Sequence, residues 1–113
     1  MIGKEELRNH FDAAGFANTH EIKRTSEFKS RSNARYIYVD KDRLPNRVFV
    51  YIEDTLPNFK IPGTEALGRR FRSNMRHFPS RINNGKTPCH YGLAVKIDNS
   101  ACLLDFLQWF NSI

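Results

Sequence analysis

Cysteine is scarce in this chain, and long apolar runs are missing. Two cysteines, Cys89 and Cys102, in 113 residues are too few for a disulfide framework, and a free thiol among apolar neighbours, as at Cys102, acts as a small hydrophobe. That usage points to a reducing compartment. No apolar run nears the roughly 20 residues that span a bilayer, and the opening Met-Ile-Gly-Lys-Glu-Glu-Leu lacks the apolar core of a signal peptide. A cytoplasmic protein with no membrane role is expected. His10, His20, His77 and His90 are scattered and show no zinc-ligand spacing with the cysteines, so neither metal nor cofactor is expected. Repeats, low-complexity tracts and linkers are lacking too. A length of 113 residues fits one domain, 1–113, with a real core.

One further shortage carries the most information. From Arg69 to Ile97 there is no Asp or Glu, against Arg69, Arg70, Arg72, Arg76, Arg81, Lys86 and Lys96. The rest of the chain holds eleven basic and twelve acidic residues, so the whole net charge of +6 resides in this quarter. Such a surplus raises the odds of an anionic partner, nucleic acid or an acidic protein.

What is present argues for sheet and helix sharing a core. Leu93, Val95 and Ile97 alternate with Gly92, Ala94 and Lys96, the period of a half-buried strand. Asp98, Asn99 and Ser100 supply capping oxygens, and Leu103, Phe106, Leu107 and Phe110 follow at helical spacing. Residues 4–14 read as a first helix, with Leu7, Phe11 and Ala14 on one stripe and Gly15 at its end. An edge strand near 20–28 is weakly signalled. Tyr36-Ile37-Tyr38-Val39 and Val48-Phe49-Val50-Tyr51-Ile52 read as an antiparallel hairpin. Val48, Val50 and Ile52 point to the core, leaving Phe49 and Tyr51 to be covered by a loop or a partner. Residues 53–63, with Pro57, Pro62 and Gly63, form an irregular crossing. Thr64 to about His77 reads as a short helix on Leu67, Phe71 and Met75, with Gly68 counting against it. Asn83-Asn84-Gly85 signals a turn. The expected class is α+β: two layers, an antiparallel sheet of about four strands, and N- and C-terminal helices on one face.

Gly15-Phe16, Tyr36-Ile37-Tyr38-Val39, Thr55-Leu56, Phe78-Pro79, Gly85, His90-Tyr91-Gly92 and Phe106-Leu107 fall in an order that resembles the bacterial YgaC family, grouped with the N-terminal domain of the competence regulator TfoX. The resemblance implies a small two-layer α+β domain. It brings no catalytic or ligand residues, and the arginines between Arg69 and Arg81 depart from the family's pattern.

On a helix over 64–77, Arg69, Arg72 and Arg76 would form a stripe beside the buried residues, and guanidinium groups grip phosphates bidentately. The first functional expectation is therefore a non-enzymatic regulatory or accessory module. Its basic segment, 69–86, contacts nucleic-acid phosphates through Arg69, Arg70, Arg72, Arg76, Arg81 and Lys86, with Phe71 and Phe78 as stacking surfaces. The bland alternative is a solvated basic face. A second expectation is a protein-interaction adaptor using Phe49, Tyr51 or Trp109, or a homodimer through the greasy C-terminal helix. A third is a small metal-dependent nuclease, since Asp12 and Glu27-Phe28-Lys29 mimic a D…ExK arrangement of carboxylates around Mg²⁺ with a lysine beside the phosphate. Cys89-His90 does not make a nucleophile and base, because neighbours on a strand face opposite ways.

Overall fold

A computed structural model describes residues 2–82 and 87–113; the expected turn at Asn83-Asn84-Gly85 and Lys86 lie outside them. Helix α1 (Lys4–Ala13) buries Leu7 and Phe11, sets Glu5 and Glu6 in its first turn, where they complement the helix dipole, and stops before Gly15 at φ +88°. Strands β1 (Phe16–Glu21), β2 (Thr25–Ser30), β3 (Tyr36–Asp40), β4 (Val48–Ile52), β5 (Thr64–Phe71), β6 (Ser80–Ile82) and β7 (Pro88–Ile97) follow, and α2 (Ser100–Asn111) comes last. The Asn99 carboxamide caps α2 by accepting the Cys102 N–H at 2.9 Å.

All strand pairs are antiparallel. Their order is β1-β2-β3-β4-β7-β5, with β6 also on β7. The expectation of about four strands is corrected to seven among the described residues. The extra strands were hidden for separate reasons. The weak signal near 20–28 is two strands, β1 and β2; β2 lacks apolar alternation because Thr25, Ser26, Glu27 and Ser30 are buried polar residues. The expected helix over 64–77 is instead β5 and a loop. Its register with β7 shifts between Ala66 and Gly68, and Gly68 takes φ +92°, the left-handed conformation of a bulge glycine. Long β7 has an edge to satisfy, and that requirement outweighs the local helical spacing.

The sheet has two differently built faces. On one, Phe28, Ile37, Val39, Val48, Val50, Ile52, Val95 and Ile97 meet Leu7 and Phe11 of α1 and Leu103, Phe106, Leu107 and Phe110 of α2 in one apolar cluster. On the other, Tyr38, Tyr51 and Ala94 are covered by Met75 and Phe78 from the loop 72–79. The Phe78 ring lies on Gly92, where a Cβ would come within 2.9 Å of both that ring and the Ile52 carbonyl oxygen. Only glycine permits this approach. Phe49 and Tyr51 are both buried, Phe49 beneath the Arg43 guanidinium at 4.7 Å, so the chain itself supplies their cover. Trp109 packs 4.7 Å from Phe59 of the crossing segment, which closes the flank of α2. No helix among the described residues is long and apolar enough to cross a membrane.

Candidate nucleic-acid interface

Alternation along β5 decides where its arginines go. After the bulge, Arg69 stands opposite Leu93 and Phe71 opposite Tyr91, while Arg70 stands opposite Gly92. Arg69 and Phe71 thus share the helix-bearing face with Leu93, and Arg70 and Arg72 take the other. The five arginines of the expected site do not form one stripe, which corrects the expected helical arrangement.

Arg72 and Arg76 act as clasps for the loop 72–79, Arg72 largely covered and Arg76 with its side chain half exposed. Arg72 donates from Nε to Thr25 Oγ1 at 2.9 Å and from Nη2 to the Arg24 carbonyl at 2.8 Å. Its Nη2 also lies 3.4 Å from Asp40 Oδ1. Arg76 grips Glu27 with both arms, Nε to Oε2 at 2.9 Å and Nη2 to Oε1 at 3.1 Å. Glu27 is 1% exposed and accepts two further bonds, from Thr19 Oγ1 at 2.9 Å and Tyr38 Oη at 3.2 Å. Burial opposes its charge, but the hydrogen bonds from Arg76 and Thr19 and the charges of Arg76 and His77 outweigh it and hold its pKa below the ordinary glutamate value. The same carboxylate raises the pKa of Arg76. Burial, with Glu27 alongside, pushes the Tyr38 phenol well above the usual tyrosine value. That phenol oxygen also accepts the His77 backbone N–H at 3.1 Å, and the His77 ring stacks on Tyr36 at 3.9 Å. The Glu27 carboxylate accepts from Arg76, Thr19 and Tyr38 together, so the cluster holds the loop down, while Asn74 Oδ1 of that loop is buried without a hydrogen-bond partner among the described residues.

Arg69, Arg70 and Arg81 remain exposed. Arg81 of β6 stands opposite Cys89, on the same face as Arg69, Phe71 and Tyr91. The rings of Phe71 and Tyr91, both half-buried, are 5.8 Å apart. Arg69 lies 4.7 Å over Tyr91, and Arg81 lies 5.6 Å from the Phe71 ring and 5.5 Å from that of Tyr91. Two aromatic faces framed by two guanidinium groups make a platform across β6, β7 and β5. Arg69 also donates from Nε and Nη2 to Asp54 Oδ2 at 2.8 and 2.7 Å. Beyond Asp54 the same face opens into a cleft of about 730 Å³, lined by apolar residues of the crossing 53–63 and of β4, β5 and β7.

Of the expected site residues, the structure thus gathers Arg69 and Arg81, leaves Arg70 on the opposite face, and consigns Arg72 and Arg76 to the clasps. Of the expected stacking residues, Phe71 belongs to the platform and Phe78 is buried. The sequence suggested no site role for Tyr91, Asp54 or the cleft; strand alternation from Leu93 back to Tyr91 is the signal that finds the first. The nuclease arrangement does not assemble. Asp12 lies on α1, beside the face that holds Phe28, whereas Glu27 points from the opposite face and is already bound by Arg76. His90 donates from Nδ1 to the Phe78 carbonyl at 2.8 Å, away from Cys89. Compared with protein-family models, with curated proteins and with solved structures, the chain matches none.

Proposed function

We propose that the protein is a binding module for single-stranded nucleic acid and that its contact surface is the platform of Arg69, Phe71, Arg81 and Tyr91. The carrying observation is the pair of half-buried rings, 5.8 Å apart, with a guanidinium over each. Every base has a π-face, so an aromatic pair on a sheet is a stacking surface that reads little sequence. Arginines beside it serve passing phosphates. The charge surplus of residues 69–97 supports the same reading, reduced by the three arginines paired with Glu27, Asp40 and Asp54. Among the described residues no carboxylate pair or thiolate–base pair stands beside the platform, and the reading proposed is a binding role. The resemblance to the YgaC family brings no site residues and adds nothing to this reading.

Fluorescence anisotropy with labelled ten-nucleotide DNA and RNA strands is the test. With phosphates met by Arg69 and Arg81, log K falls against log salt with a slope of about −1.4, from roughly 0.7 per phosphate on single strands. Tyr91→Ala weakens binding by about tenfold, within the range of one lost base stack. Absence of binding at about 20 mM salt, where screening between charges is weak, overturns the proposal.

A further inference from the structure

The cleft next to the platform has a chemistry of its own. Its walls include Ile52, Leu56, Phe59, Ile61 and Leu93, and one carboxylate, Asp54, is set among them. Arg69 takes Asp54 Oδ2 twice, leaving Oδ1 without a hydrogen bond from any described residue. A hydrocarbon tail in this cleft would desolvate that oxygen and return nothing. An anionic headgroup against Asp54 would be repelled. A cationic amine would meet Arg69, already bonded to the same carboxylate, and Lys60, which also lines the cleft. What fits is a flat ligand with apolar faces and a neutral N–H donor, followed by negative charge where Arg69 and Lys60 stand.

We infer that the cleft binds a nucleobase carrying an exocyclic amine, cytosine, adenine or guanine, with the amine donating to Asp54 Oδ1. A volume of about 730 Å³ admits a nucleoside. Arg69 touches Asp54 on one side and the Tyr91 ring on the other, so a base in the cleft places its phosphate at the start of the platform. Thymine and uracil carry no exocyclic amine, and their one base N–H donor lies between two carbonyls that face the carboxylate acceptor to acceptor. The inference deepens the proposed function in its oligonucleotide form. The same base chemistry also occurs in free nucleosides.

The test pairs two assays on the full chain. Calorimetry with cytidine, adenosine and uridine probes the free ligand; anisotropy with dC, dA and dT decamers probes the strand. The expected result is binding of the dC and dA decamers at least tenfold tighter than dT. Asp54→Ala brings all three within about twofold of one another, and Ala66→Phe, which fills the cleft from a solvent-exposed strand position, does the same without touching the carboxylate. Equal affinity for all three decamers in the unmodified protein overturns the inference and leaves the strand reading standing. Cytidine and adenosine binding with no gain in the decamers supports the inference for a free nucleoside and overturns the strand reading. Laurate binding that Ala66→Phe abolishes, with no nucleoside bound, overturns it in favour of an apolar ligand. No binding of any of these probes overturns both.

Discussion

Arg72 and Arg76 on one side, Arg69 and Arg81 on the other, come from thirteen consecutive residues and meet opposite fates. The first pair spends its charge on Asp40 and Glu27 and pins a loop over the second face of the sheet. The second pair lies over the rings of Tyr91 and Phe71 on the helix-bearing face, Arg69 while also held by Asp54. Parity along β5 makes the difference at its start, and the reach of the loop to β2 completes it. A run of one charge sign therefore does not by itself make a polyanion site. Each cation has to be followed to its partner before it is counted.

The sharpest way to break this contrast is to remove the carboxylate of the clasp. Glu27→Ala leaves the Tyr38 and Thr19 hydroxyls and the Arg76 guanidinium without their acceptor and lowers stability by about 3 kcal/mol, read from urea unfolding midpoints. A change under about 0.5 kcal/mol, the range of ordinary surface substitutions, would put the clasp on a level with any exposed pair. Next comes Gly92→Ala. Its methyl group presses on the Phe78 ring and the Ile52 carbonyl, at a cost of about 2 kcal/mol, and it loosens the same loop from beneath.

A smaller effect separates the two arginine pairs directly. Arg81→Ala weakens decamer binding about fivefold, as expected for one lost cation–π and phosphate contact, and leaves the unfolding midpoint unchanged. Arg72→Ala does the reverse. If both variants lose binding alike, the division drawn above is wrong. The smallest effect at neutral pH is the titration of Glu27. Its folded pKa is depressed, so the stability it contributes is complete above the ordinary glutamate value near 4.5 and drains away as pH falls through the lower folded value. Thermal midpoints should therefore hold steady above about pH 5 and drop below it, with a shallower drop in Glu27→Gln. Tyr38 works with the opposite sign. Its folded pKa is raised, so its contribution fades as pH climbs past the ordinary tyrosine value near 10.

Much of the scaffold was legible in the residues. The helical stripe of Leu7 and Phe11, the cap at Asn99, the hairpin of Tyr36–Asp40 with Val48–Ile52, and the alternation of Leu93, Val95 and Ile97 all carry local signals of the right period. The strands that escaped notice lack such signals. In β2 the positions on the second face are filled by Thr25 and Glu27, which are buried because Arg72 and Arg76 arrive from nearly fifty residues away. Nothing near them in the chain announces that. In β5 the spacing of Leu67, Phe71 and Met75 fits a helix as well as it fits a bulged strand that runs into a loop. Only the need to pair β7 on its outer edge chooses between them. The candidate site was legible as charge and illegible as geometry: Arg69 and Arg81 were named, but Tyr91 between them and the cleft behind Asp54 arise from the register of three strands.

The position of β7 also bears on how the chain can be assembled. It lies between β4 and β5 and carries β6 as well, yet it comes after all of them in sequence. During synthesis the first four strands can form their meander alone. One flank of Val48–Ile52 and the greasy surface beneath it then stay open until residues 88–111 leave the ribosome. A nascent chain stalled before that point presents a ready template for its neighbours, and holding it apart from them is work for a chaperone.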